Sequence, residues 1–267
     1  MSRRPEGWEG FCARVAELHD LLTALGVRYL FLKTVKSYPH TDSNVDVLIP
    51  HRAEFLRVRR ALQEKGFRPV FTWEFDKAML QPPSGRPSPS DPAAHLYACI
   101  SWYTVPYLDA HRVLARARIL PWNGLALPVP DLQDEFYIGA LHAFFEEEAL
   151  TWGDVWHLQS VQEALRRRRA SEPTDLSPAA RWAVQAVARA LEELKGLQPA
   201  SVRGPQSTRT RGREREVAYP FPKRVLWRGF ALRMGEALQR GRPGDLLRTL
   251  YAYGGLHVAK RLKLLRG

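Results

Sequence analysis

The sequence predicts an α+β fold, a mixed sheet with flanking helices followed by a helical domain. Two observations predict it. Between residues 27 and 67, two short β-branched and aromatic runs joined by a polar link lead into an amphipathic segment that stops at Gly66. From Asp131 onward the apolar spacing turns helical, and a residue able to cap a helix stands before each segment. The expected units are an α+β domain over residues 1–128, a helical domain over 129–200, and a basic linker with an amphipathic C-terminal extension over 201–267.

Each element has a local reason. From Trp8 to Leu25, the residues Phe11, Cys12, Val15, Leu18, Leu21, Leu22 and Leu25 recur at helical spacing, and Gly26 stands where a left-handed cap belongs. The run from Val27 to Leu32 reads as a strand with most of both faces apolar, and Val45 to Ile49 as a second, ended by Pro50. Arg52 to Lys65 is helical, with Phe55, Leu56, Val58 and Leu62 inward. Phe67 to Trp73 and His95 to Trp102 carry strand patterns. Residues 82–92, rich in Pro, Ser and Gly, form a surface excursion, and Pro121 to Pro130 a turn-rich connector. Asp131, Thr151 and Ser177 cap helices running to about Leu150, Arg169 and Leu197. Residues 198–216 have little to bury, whereas Val225 to Leu238 and Asp245 to Leu265 are basic and amphipathic.

Composition narrows the function. Of the 267 residues, 45% are hydrophobic and 25% charged, an ordinary globular balance. No apolar stretch is long enough for a membrane-spanning helix, and no apolar run follows the basic start as a signal peptide requires. Two cysteines, Cys12 and Cys99, are too few for a disulfide framework or a thiolate zinc site. A cytoplasmic chain is the expectation, with peripheral membrane association open. Arg outnumbers Lys 32 to 8, as a GC-rich or thermophile's genome would produce. The net charge of +12 is local: residues 203–267 hold 16 Lys and Arg against 4 Asp and Glu, and the preceding chain balances. Such a basic end suggests an anionic partner. It can fold back through Tyr219, Phe221, Trp227 and Phe230, lie on an anionic membrane surface, or bind nucleic acid.

The informative stretch is Tyr29-Leu30-Phe31-Leu32-Lys33-Thr34, then, after a link, Asn44-Val45-Asp46-Val47-Leu48-Ile49-Pro50. A carboxylate inside an apolar strand is costly unless it is paired, hydrogen-bonded or holding a metal. At a strand's open end it could hold Mg²⁺ and position a triphosphate.

This segment resembles the core of the nucleotidyltransferase superfamily, and most of all its bacterial and archaeal nucleotidyltransferase-like branch. In that branch Leu-Lys-Gly replaces the Gly-Ser turn, matched here by Leu32-Lys33-Thr34, and Asp-x-Asp is matched by Asn44-Val45-Asp46. The Gly66-Phe67 stop, Leu96-Tyr97, Pro106-Tyr107-Leu108-Asp109 and Val129-Pro130-Asp131 extend the resemblance over roughly residues 10–165. It implies transfer of a nucleoside monophosphate from an NTP to an acceptor whose identity the sequence does not give, with Mg²⁺ or Mn²⁺. It makes Asp46 the catalytic metal ligand and Asn44 a weakened second ligand, with Lys33 and Thr34 by the phosphates; Asp42, four residues before Asp46, could lean into the site as a further ligand. The superfamily's third carboxylate falls on His95, so the carboxylates are degenerate, and Asp109, Glu74 and Asp76 are candidates for a recruited acid. The alternative is a retired fold kept as a binding or scaffold module.

Other charged and aromatic residues have plainer readings. The plainer reading of Asp46 is a structural hydrogen-bonded acid, and that of Lys33 a solvated strand-end lysine. Glu146-Glu147-Glu148 reads as a solvated helix end, Asp109 as a helix cap, and Trp152 and Trp156 as helical core. His142 and His157 sit on different helices with nothing in the spacing to join them.

Overall fold

The computed structural model describes residues 4–70, 76–102, 105–168, 176–195 and 217–239, together with Gly244. Helix α1 (Trp8–Ala24) leads to strands β1 (Leu30–Leu32) and β2 (Asn44–Leu48), helix α2 (Arg52–Glu64), and strands β3 (Arg68–Val70), β4 (Lys77–Gln81) and β5 (Ala93–Tyr97). These five strands form one mixed sheet in the order β1-β2-β5-β4-β3, in which only β2 and β5 run parallel.

Strand alternation sorts the side chains into two cores. Phe31, Val45, Val47, Leu80, Ala94 and Leu96 pack against Phe11, Val15, Leu18 and Leu22 of α1 and Phe55, Val58 and Leu62 of α2. The opposite face gives Leu30, Leu32, Leu48 and Tyr97 to a second core shared with the helices that follow. Asn44, Asp46, His95 and Lys77 belong by the same alternation to that second face. The sheet therefore turns its polar residues toward the helical body.

In chain order, between the sheet and that body come β6 (Ile100–Trp102) paired with β7 (Val105–Leu108), the short helix α3 (Ala110–Ala115), and β8 (Arg118–Trp122) paired with β9 (Leu125–Val129). The stretch expected to be a turn-rich connector is thus half of a hairpin. Asn123 and Gly124, both at positive φ (47° and 82°), make its two-residue turn. Asn-Gly is a strong signal for such a turn.

The helical body comprises α4 (Leu132–His142), α5 (Trp152–Arg168) and α6 (Pro178–Leu194). Asp131 and Ser177 cap α4 and α6 as expected, and Thr151 Oγ1 accepts the Asp154 amide at the start of α5. The helix expected to reach Leu150 instead ends at His142. A π-helical turn (Ala143–Glu147) follows, Glu148 adopts a left-handed φ of 58°, and a short strand β10 (Ala149–Thr151) completes the connection. Gly139 lets α4 and α5 approach, since a Cβ there would sit 2.8 Å from Leu158 Cδ2.

Strand β11 (Val217–Pro220) pairs with β10, and helix α7 (Lys223–Gln239) packs on α6. Phe221 enters the shared core. Gly229 lies against Phe144, and Glu236 Oε1 accepts the Ala179 amide at 2.6 Å. Arg233 is fully buried, with its guanidinium over the Tyr107 ring. The fold-back expectation holds for Tyr219, Phe221 and Phe230, but Trp227 is 56% exposed. The stretches 198–216 and 245–265 lie outside the described residues. Among the described residues, no helix is long and apolar enough to cross a membrane.

Candidate functional site in the cleft between sheet and helices

A cleft of about 530 Å³ opens between the second face of the sheet and the helices α4 and α5. Its sheet wall carries Lys33, Thr34, Asn44, Asp46, Met79, His95 and Tyr97, and its helical wall His142, Glu146, Glu147, Asp154 and His157; Lys36, His40 and Asp42 come from the link between β1 and β2. All five residues expected in the site, Lys33, Thr34, Asp42, Asn44 and Asp46, therefore line one cavity.

Parallel pairing of β2 with β5 sets Asp46 directly beside His95. Asp46 is 7% exposed, and donors surround its carboxylate. Oδ2 faces Lys33 Nζ at 3.2 Å. Oδ1 lies 3.1 Å from His95 Nδ1 and accepts from Asn44 Nδ2 at 2.8 Å and from the Tyr97 hydroxyl at 3.2 Å. Burial alone would raise this carboxyl's pKa, but the Lys33 ammonium, followed by His95, outweighs it and holds the carboxyl well below the usual range. Burial likewise pushes the Lys33 ammonium down, and Asp46 and Glu146 together reverse that and raise it.

The turn after β1 is built to hold this arrangement. Thr34 is buried, and its hydroxyl donates to the carbonyls of Leu32 (2.9 Å) and Asp46 (3.3 Å). It ties the turn to β2 at Asp46 itself. Lys33 takes a left-handed φ of 53°, a costly conformation for a side chain of this kind. Such strain persists where surrounding contacts impose it, here where an ammonium is brought against a carboxylate.

The network continues across the cleft. Lys33 Nζ and Lys77 Nζ lie 5.6 and 5.2 Å from the Tyr97 ring centroid. Lys77 pairs with Glu146 Oε1 at 3.8 Å, and His142 Nδ1 with Glu146 Oε2 at 3.0 Å. Burial would raise the Glu146 carboxyl, but His142, then Lys77, hold it well below its ordinary range. This corrects the expectation of a solvated helix end at Glu146, whereas Glu147 is 57% exposed as expected. The π-helical turn aims Glu146 into the cleft, and nothing in the three-glutamate run announces that turn.

His157 reaches the same cleft as His142, so the fold joins two histidines that the spacing could not. Its Nδ1 accepts the Ser37 amide at 3.1 Å and its Nε2 faces Glu135 at 3.3 Å, which pins the link between β1 and β2 to α5 and α4. Lys36 faces Asp154 at 3.5 Å, and His40 faces Asp42 at 3.7 Å. Asp109 caps α3 by accepting the amides of His111 and Arg112. Asp76 accepts from Ser101 Oγ at 2.6 Å and from the Cys99 thiol, whose pKa burial and that carboxylate push up to about 12. Neither acid lines the cleft, and Glu74 lies outside the described residues.

These side chains do not fit a divalent metal at Asp46. An ammonium occupies the face a metal would need, Asn44 presents its amide NH₂ rather than its oxygen, and Asp42 is turned to Ser43 N (2.7 Å) and His40. Among the described residues, no group of three or more His, Cys, Asp or Glu side chains is placed to hold a metal. What the cleft offers is lysine and histidine donors, each set against a carboxylate.

No protein-family model matches the chain, and comparison with curated proteins gives no match. Among solved structures, the chain is similar to an antigenic nucleotidyltransferase-like protein from Paracoccidioides brasiliensis, at 15% identity and a TM-score of 0.47, over 70% of this chain and 91% of that one.

Proposed function

We propose that this is a nucleotidyltransferase-like protein that holds a nucleoside triphosphate in the cleft between sheet and helices, phosphates toward Lys33 and Lys36. The observation that carries the reading is the convergence, from β1, β2 and β5, of Lys33, Asn44, Asp46 and His95 on one concave face. Those are the positions the motif resemblance singles out. A cavity of about 530 Å³ with a few convergent polar groups suits a ligand of that size.

The finer reading, transfer of the nucleoside monophosphate to an acceptor with Mg²⁺ or Mn²⁺, requires Lys33 to leave Asp46. The 3.2 Å pair between them is also compatible with a second reading, a ligand-binding module without metal-dependent turnover. One experiment tests both. Thermal unfolding of the wild-type chain is followed with each NTP, once in Mg²⁺ and once in EDTA. Binding at a hundred times the dissociation constant adds about 2.7 kcal/mol, which is readily seen. A shift in both buffers supports nucleotide binding without metal. A shift in Mg²⁺ alone, lost in Asp46→Ala, supports the transferase, and no shift with any nucleotide removes the nucleotide reading.

A further inference from the structure

We propose that Lys33 is a built-in replacement for the divalent cation: its ammonium sits in the metal's place at Asp46, and removing it uncovers a divalent-cation site that the native chain does not offer. The inference rests on the cleft being a phosphate site only in its second consequence, metal-independent nucleotide binding. Its first consequence, about cations alone, stands by itself.

The geometry carries it. Asp46 is the carboxylate at the centre of the sheet's polar face, and Lys33 Nζ is the cation on its Oδ2, at 3.2 Å. The lysine does not arrive there by drifting along the surface. Its backbone is held at φ 53°, the next residue bonds the turn to the Asp46 carbonyl, and the Tyr97 ring lies beneath the ammonium. Three further donors, Asn44, His95 and Tyr97, engage Oδ1 and keep the carboxylate in place if the lysine side chain is lost. The vacated Oδ2 would then face the cleft directly. A hard divalent ion keeps most of its waters, so a single carboxylate oxygen freed of its ammonium is enough for a weak site. Such an ion within a few ångströms of an ammonium would be repelled strongly enough to weaken binding by more than about tenfold.

The test uses the full-length chain and Mn²⁺ as the probe, with free Mn²⁺ read by electron paramagnetic resonance. Wild type, Lys33→Ala, Lys33→Met and the double variant Lys33→Ala/Asp46→Asn are titrated without nucleotide, and circular dichroism establishes that each is folded. Lys33→Met keeps the aliphatic stem over Tyr97, so a folded variant without the ammonium is available if the alanine disrupts the turn. The expected result is Mn²⁺ affinity at least about tenfold higher in the lysine variants than in wild type, and lost again in the double variant. Equal affinity in wild type and the lysine variants overturns the proposal, as does affinity that survives Asp46→Asn. A second arm measures ATP binding by calorimetry in EDTA. Equal affinity with and without Mg²⁺ is expected for wild type, falling at least about tenfold in Lys33→Met. If ATP fails to bind in either buffer, the nucleotide reading falls, and the Mn²⁺ arm still decides whether Lys33 stands in for a metal.

Discussion

Removing Asp46 should cost the fold more than removing its lysine partner, and by a margin the bonding pattern sets. Asp46→Ala strands the Lys33 ammonium, the His95 ring, the Asn44 amide and the Tyr97 hydroxyl together. Breaking a buried ion pair from one side costs about 3–5 kcal/mol. The Lys33 side chain keeps 21% exposure, so water relieves part of that penalty, and about 3 kcal/mol is the expected loss. Lys33→Ala leaves the carboxylate with three donors and should cost only about 1 kcal/mol. The double variant should cost less than the sum by at least about 1 kcal/mol, because the stranded ammonium is gone as well. Urea unfolding followed by tryptophan fluorescence measures all four corners of this cycle. For a chain of this size, Asp46→Ala corresponds to a fall of about 6–12 °C in Tm. A Lys33→Ala loss as large as that of Asp46→Ala, or strict additivity, would refute the reasoning.

Three further outcomes follow from the same contacts. The stability difference between wild type and Asp46→Asn should be full above about pH 4, the unfolded carboxylate's value, and shrink as acidification protonates Asp46 toward its depressed folded pKa, which urea unfolding from pH 7 to pH 2.5 would show. Gly229→Ala should destabilise by about 1–3 kcal/mol, because its Cβ would meet Phe144 Cε1 at 2.6 Å, and a Tm within a degree of wild type would contradict the docking of α7. Asp134→Ala should cost about 1–2 kcal/mol, since it removes the buried acceptor of paired bonds of 2.9 and 2.8 Å from Arg116, whose side chain is 38% exposed and can turn to water, and a neutral result by calorimetry would rule that pair out as a support of α4.

Much of this was legible in residue order. Alternation in β2 places Val45 and Val47 on one face and Asp46 on the other, so a carboxylate turned toward the helical body is written in five residues. Caps did the same for α4 and α6, where Asp131 and Ser177 bond the amides their position implies. Partner choice was not legible. Asp46 meets the Lys33 ammonium across a turn in which Lys33 is left-handed, and a left-handed lysine has no sequence signal as glycine does. Glu146 was misread for a related reason: helical periodicity runs through residues 143–147, and the single extra residue of a π turn is decided by packing. The Asn123-Gly124 turn is a different case, because its signal stands in the sequence and the reading of Pro121 to Pro130 as a connector passes over it.

The position of β11 and α7 in the chain has a consequence for synthesis. The core under α4 and α6 is closed by Phe221, and the α6 N-terminus by Glu236, both of which follow a stretch of basic, proline-containing chain after Leu194. A nascent chain that has reached residue 200 already carries the whole sheet and three body helices, yet Phe144 and Trp182 still lack the helix that packs over them. Until about forty more residues leave the ribosome, that apolar surface is open to chaperones or to other nascent chains. Stop codons that spare every cleft residue but remove α7 would therefore be expected to yield aggregated rather than merely shortened protein.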